Sequence, residues 1–64
     1  MKFREVIRLL EDDGWEVVQQ QGSHRQYKHL TKKGRVTVAG KPAHDVPKGT
    51  LASILRQAQL KEKR

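Results

Sequence analysis

His24 is the side chain best suited to chemistry in this chain, and its neighbours say what kind. It follows Gly22-Ser23 and precedes Arg25-Gln26-Tyr27-Lys28-His29, so an imidazole sits just after a glycine turn, with an aromatic three residues on and cations close by. Histidine titrates near neutrality, so it can take a proton and give one back. RNA carries its own nucleophile, the 2′-hydroxyl. Breaking an RNA backbone therefore needs proton transfer and stabilisation of phosphate charge, without a metal. In a strand, successive side chains point to opposite faces. His24, Gln26 and Lys28 then share one face, and Ser23, Arg25, Tyr27 and His29 the other. With Tyr27 packed inward, His24 looks outward, unless a bulge inverts the parity.

Other chemistries fit less well. A zinc site needs three or four ligands. Here His24 and His29 fall on opposite strand faces, His44 lies in a distant loop, and there is no cysteine. Ser23 is adjacent to His24, so the two point apart, and no Gly-x-Ser-x-Gly elbow is present. The expectation is a protein without metal or cofactor. The residues alone leave His24 with two readings, an acid–base group or an ordinary surface histidine.

Charge narrows the partners. The net charge is +7, but its distribution is uneven. Residues 1–21 carry three Lys/Arg against five Asp/Glu, a net of −2. Residues 22–64 carry eleven against two, a net of +9. A clustered basic half points to a polyanion such as RNA, where release of counterions drives binding. The candidate contacts are Arg25, Lys28, Lys32, Lys33, Arg35 and Lys48. Lys48-Gly49-Thr50 combines a cation, a small residue and a hydroxyl at a helix start, a place where phosphates bind. It also reads as an ordinary helix start with Thr50 as a local cap. No apolar run approaches the ~20 residues that span a membrane, and Met1-Lys2 leads into mixed polar sequence with no signal-peptide core. A cytoplasmic location is the expectation, and the absence of cysteine fits a reducing compartment.

Five elements must position these groups. Phe3, Val6, Ile7 and Leu10 recur at helical spacing and predict an amphipathic helix over 2–12. Gly14 suits the left-handed residue that ends it. Glu11, Asp12 and Asp13 crowd the end where the helix dipole disfavours acids, at about a few tenths of a kcal/mol; keeping RNA off this face is one reason for them, and plain solubility is the simpler one. Trp15 to Gln20 predicts a strand, with Trp15, Val17 and Gln19 on one face and Glu16, Val18 and Gln20 on the other. Ser23 to Leu30 predicts a second strand. A hairpin at Thr31 to Gly34 leads to a third, Arg35 to Ala39, rich in β-branched residues. After a loop stiffened by Pro42 and Pro47, with Asp45 as a plausible cap, Leu51, Ile54, Leu55 and Ala58 predict a helix over 48–59 closed by Leu60. Lys61 to Arg64 reads as a frayed tail. The whole chain, 1–64, reads as one α+β domain: a three-stranded antiparallel sheet with two helices packed on one face.

Gly22-Ser23-His24-Arg25-Gln26-Tyr27-Lys28-His29, with the later Gly49-Thr50-Leu51 and Ile54-Leu55-Arg56-Gln57-Ala58, resembles the HicA (YcfA-like) toxin family. Leu10 followed by Gly14-Trp15 matches the family's opening, and the resemblance covers nearly the whole chain. It implies an α-β-β-β-α fold like that of double-stranded-RNA-binding domains. It also implies a toxin of a type II toxin–antitoxin system that cleaves mRNA without the ribosome. The residue at His24 is catalytic in that family, and a cognate HicB-like antitoxin covers the active face. A non-catalytic RNA-binding module of the same fold is the alternative reading.

Overall fold

The computed structural model of the chain describes residues 1–60, and the predicted tail, Lys61 to Arg64, lies outside the described residues. The elements come in the expected order: α1 (Phe3–Asp12), β1 (Trp15–Gln21), β2 (His24–His29), β3 (Val36–Ala39) and α2 (Lys48–Gln57). The strands form one antiparallel sheet with β2 in the centre. Trp15, Tyr27, Val36 and Val38 line its inner face and meet Phe3, Val6 and Leu10 of α1, Val46 of the connecting loop, and Ile54 and Ala58 of α2. Both helices thus feed one core on one side of the sheet, and the other side is open. A chain this short buries only ~60% of its unfolded surface, so each large core residue counts. Trp15 and Tyr27 are each 1% exposed.

The loop after β3 completes the start of α1. A helix leaves its first N–H groups without partners inside the helix. Here the Phe3 N–H donates to the His44 carbonyl (2.9 Å) and the Arg4 N–H to the Pro42 carbonyl (3.1 Å), while the Lys2 N–H donates to Glu5 Oε1 (2.7 Å). Asp45 does not cap α2 as predicted. Its carboxylate pairs with Lys2 Nζ at 3.2 Å, which pins the loop to α1. The residue preceding α2 is Pro47, and among the described residues no side chain caps that helix. The loop sits close because Gly40 lies against the Phe3 ring, where a Cβ would fall 2.4 Å from ring carbons.

The far end of the sheet is tied by His29, Asp13 and Lys32. Gly14 takes φ +101° and ends α1 as expected. The turn brings the Asp13 carbonyl within 2.6 Å of His29 Nε2. His29 Nδ1 accepts from the backbone N–H groups of Thr31 (3.0 Å) and Lys32 (3.1 Å). A nitrogen that accepts twice carries no proton, so Nε2 bears it and donates to Asp13. The ring also stands edge-on to Trp15, with centroids 5.2 Å apart. Lys32 Nζ pairs with the Asp13 carboxylate and donates to the Ala58 carbonyl at 3.1 Å. Trp15 Nε1 donates to the same carboxylate at 3.2 Å. Asp13 therefore sits at an unfavourable helix end because it joins α1, β1 and the β2–β3 loop.

The end of α2 is closed by a reciprocal pair of backbone bonds. The Leu60 N–H donates to the Leu55 carbonyl (2.9 Å) and the Gln59 N–H to the Arg56 carbonyl (3.1 Å), with Gln59 left-handed at φ 58°. Leu60 then packs on the core, as expected for this type of helix stop. Gln57 Oε1 accepts the Thr37 N–H at 3.1 Å, so α2 also covers an edge group of β3.

Two outcomes follow from this tie. In Gly14→Ala, the added Cβ meets His29 Nε2 at 2.8 Å and the backbone stays in the left-handed region. Chemical denaturation should show a loss of more than about 1 kcal/mol. The Lys32 ammonium, hydrogen-bonded to Asp13, holds that carboxyl below its ordinary value of 3.8, against the opposing effect of burial. A lowered carboxylate pKa contributes stability that is present above the ordinary value and lost as pH falls through the folded one. Asp13→Asn should therefore unfold more readily than the parent at neutral pH. The gap should close below about pH 3.8, as read by thermal unfolding across pH.

Candidate functional site

The outer face of the sheet is set by Tyr27. Because Tyr27 is buried against the helices, His24, Gln26 and Lys28 project from the opposite side, as strand alternation predicts. The Gly22-Ser23 turn joins β1 to β2 and places Gln21 opposite His24. Ala39 lies opposite His24 on the other flank. One step along, Gln26 stands between Gln19 and Thr37, and Lys28 lies opposite Glu16.

The alternation predicted for β1 breaks midway. The pairing shifts between Val17 and Gln19, so Gln19, expected on the side of Trp15, faces out with Gln26. A bulge inserts one extra residue and turns the side chains beyond it over. As a result Gln19, Gln21, His24, Gln26 and Thr37 line one open depression of about 410 Å³. Among the described residues no carboxylate lines it. Gln19, Gln21 and Thr37 escaped the sequence reading, because the residue types of β1 carry no mark of where the bulge falls.

A depression of similar size, about 400 Å³, lies on α1 between Met1, Arg4, Glu5, Arg8, Leu9 and Asp12. Mixed charges of one helix face line it, and no histidine, so size alone does not select the site.

Within the polar depression His24 is exposed and free to meet a ligand. His29, five residues on, is committed to the fold by all its ring contacts. The two imidazoles thus face opposite sides of the sheet, as the parity requires.

The six candidate cations are not gathered in one place. Arg25 shares the helix side with Tyr27 and Val38, away from His24, and its Nη1 is buried with no partner among the described residues. Lys28 is exposed on the face of His24. Lys32 is engaged by Asp13 and Ala58. Lys33 is exposed on the β2–β3 loop. Arg35 is exposed and donates from Nη1 to Gln26 Oε1 at 2.9 Å. Lys48 is exposed in the first turn of α2. That helix ends beside Thr37 and Lys33, through Gln57 and Gln59.

Replacing the tethered lysine should separate structural from surface charge. Lys32→Ala should lower the unfolding midpoint, whereas Lys33→Ala, on the same loop but exposed, should leave it within about 0.5 kcal/mol of the parent. Equal losses in both variants would show that the loop charges act together.

Among the described residues no helix is long and apolar enough to cross a membrane. The family model described as HicA toxin of bacterial toxin-antitoxin matches residues 3–60 of the 64-residue chain. No curated protein sequence matches it. The family match runs from the first residue of α1 to the Leu60 that closes α2, taking in every element of the fold and the His24 face. The chain belongs to the HicA toxin family of bacterial toxin–antitoxin systems.

Proposed function

We propose that this toxin is a metal-independent endoribonuclease acting on mRNA, with His24 as its general acid–base. The observation that carries the reading is an exposed histidine in an open polar depression, lined by no carboxylate among the described residues, on the face of the sheet away from the helices. A depression without acids in its lining accepts a phosphate with little repulsion, Glu16 on the same face standing beside Lys28 rather than His24. His24 takes the proton of a 2′-hydroxyl as that oxygen forms a bond to the adjacent phosphorus. The bond from phosphorus to the 5′-oxygen breaks, and the departing oxygen takes a proton from water or from the imidazolium. The products are a 2′,3′-cyclic phosphate and a free 5′-hydroxyl. Lys28, Lys33, Arg35 and Lys48 hold the flanking backbone by charge. Arg25 and Lys32, also candidates from sequence, have side chains directed into the fold and contribute there through the field of the basic half. A cognate HicB-like antitoxin neutralises the protein by covering the His24 face. The reaction belongs in the cytoplasm, where mRNA is found.

A binding module without chemistry would use the same cations, and one assay separates the two. Labelled RNA is incubated with parent and His24→Ala protein in EDTA. Cleavage by the parent should fall by about 10²–10⁴-fold in the variant, with fold and RNA affinity retained. Intact RNA in a retarded complex with the parent would favour the module. Lys28→Ala and Lys33→Ala should each weaken binding across all sequences and reduce the salt slope by about one.

A further inference from the structure

A single histidine leaves the charge of a pentacoordinate phosphate unmet, and the depression holds a second group suited to it. Gln26 is two residues from His24 on the same strand face and lines the same depression. Its carbonyl Oε1 accepts Arg35 Nη1 at 2.9 Å. A guanidinium donates only, so this contact fixes which way the amide points. The Nε2 end, with its two N–H groups, is left for the depression. The charge on Arg35 also pulls electron density toward Oε1 and makes those N–H groups stronger donors.

The spacing agrees. Residues i and i+2 of a strand stand ~6.6–6.8 Å apart. A phosphate between them can lie within ~3 Å of a group on each side, the reach of a hydrogen bond. Lys28 is four residues from His24, ~13 Å along the strand, and belongs to a neighbouring phosphate. Gln19 and Thr37 flank Gln26 across the sheet and wall the place laterally.

We infer that Gln26, oriented by Arg35, donates from Nε2 to a non-bridging oxygen of the phosphate attacked beside His24. The assignment rests on the ribonuclease reading. Gln26 is the catalytic residue of the pair because it touches the substrate, and Arg35 is a positioning residue that acts through it.

The test measures kcat and KM on a labelled single-stranded RNA in EDTA, for the parent and for Gln26→Ala, Gln26→Glu, Arg35→Ala, Arg35→Lys and the Gln26→Ala/Arg35→Ala double variant. RNA affinity is measured separately in a His24→Ala background. Gln26 lies on the surface side of the sheet, and thermal unfolding checks that each variant is folded. Gln26→Ala should lower kcat by about 10²–10³-fold, the effect of losing one donor to a developing oxyanion, with KM and affinity little changed. Gln26→Glu keeps the partner of Arg35 but removes the donor, and should be at least as slow. Arg35→Ala should lower kcat when Gln26 is present and not when it is absent, and Arg35→Lys should recover part of the loss.

The assignment is overturned if both Gln26 variants turn over like the parent while His24→Ala does not. It is also overturned if Arg35→Ala lowers kcat as much without Gln26 as with it, which would show that Arg35 does not act on the chemical step through Gln26; any loss of RNA affinity in Arg35→Ala reports only its charge on the flanking backbone. If the parent leaves RNA intact, the ribonuclease reading itself falls; if His24→Ala cuts as fast as the parent, the acid–base role of His24 falls; either outcome takes this assignment with it.

Discussion

Burial of Tyr27 is the constraint on which the rest of the protein depends. It sits in the central strand, 1% exposed, with Val36 beside it and α1 and α2 completing the core. The period of a strand is two, so burying Tyr27 obliges His24, Gln26 and Lys28 to face away from the helices. A slip of one residue would bury the charged and polar set and expose the aromatic. Fully burying one large apolar side chain is worth about 1.5–3 kcal/mol, a large share of the stability of a domain this size. The core thus specifies which face presents His24, Gln26 and Lys28, and the polar face need not stabilise itself.

The tie at the opposite end of β2 serves the same purpose. His29 is held in one tautomer by Asp13, Thr31 and Lys32, and it stands against Trp15. Lys32 reaches both helices through Asp13 and Ala58. With no cysteine available for a disulfide, these polar contacts fix the register of β2 at one end, and the two-residue turn at Gly22-Ser23 fixes it at the other. Between them His24 and Gln26 are presented at a defined spacing.

Much of this was legible in the sequence, because apolar periodicity reports what must be buried. The stripe of Phe3, Val6 and Leu10, the β-branched Val36 and Val38, and the alternation around Tyr27 each follow from that requirement. What stayed hidden was decided by contacts between distant segments. The bulge after Val17, which turns Gln19 toward His24, depends on how β1 meets β2. Asp45 looks like a helix cap by its place in the sequence before α2, but its carboxylate pairs with Lys2. Lys32 and Lys33 are indistinguishable as neighbouring loop cations, yet one is drawn inward by Asp13 and the other is left exposed. The partnership of Arg35 with Gln26 likewise exists only once β3 is paired to β2.

The central claim is that the outer face carries out proton transfer at a 2′-hydroxyl. The most direct test is to treat one oligonucleotide, as RNA and as fully 2′-O-methylated RNA, with the parent protein in EDTA and to analyse the ends. The account predicts that the RNA is cut to fragments ending in a cyclic phosphate and a 5′-hydroxyl, while the methylated strand is bound and stays intact. Cutting of the methylated strand, or fragments carrying a 5′-phosphate, would contradict it.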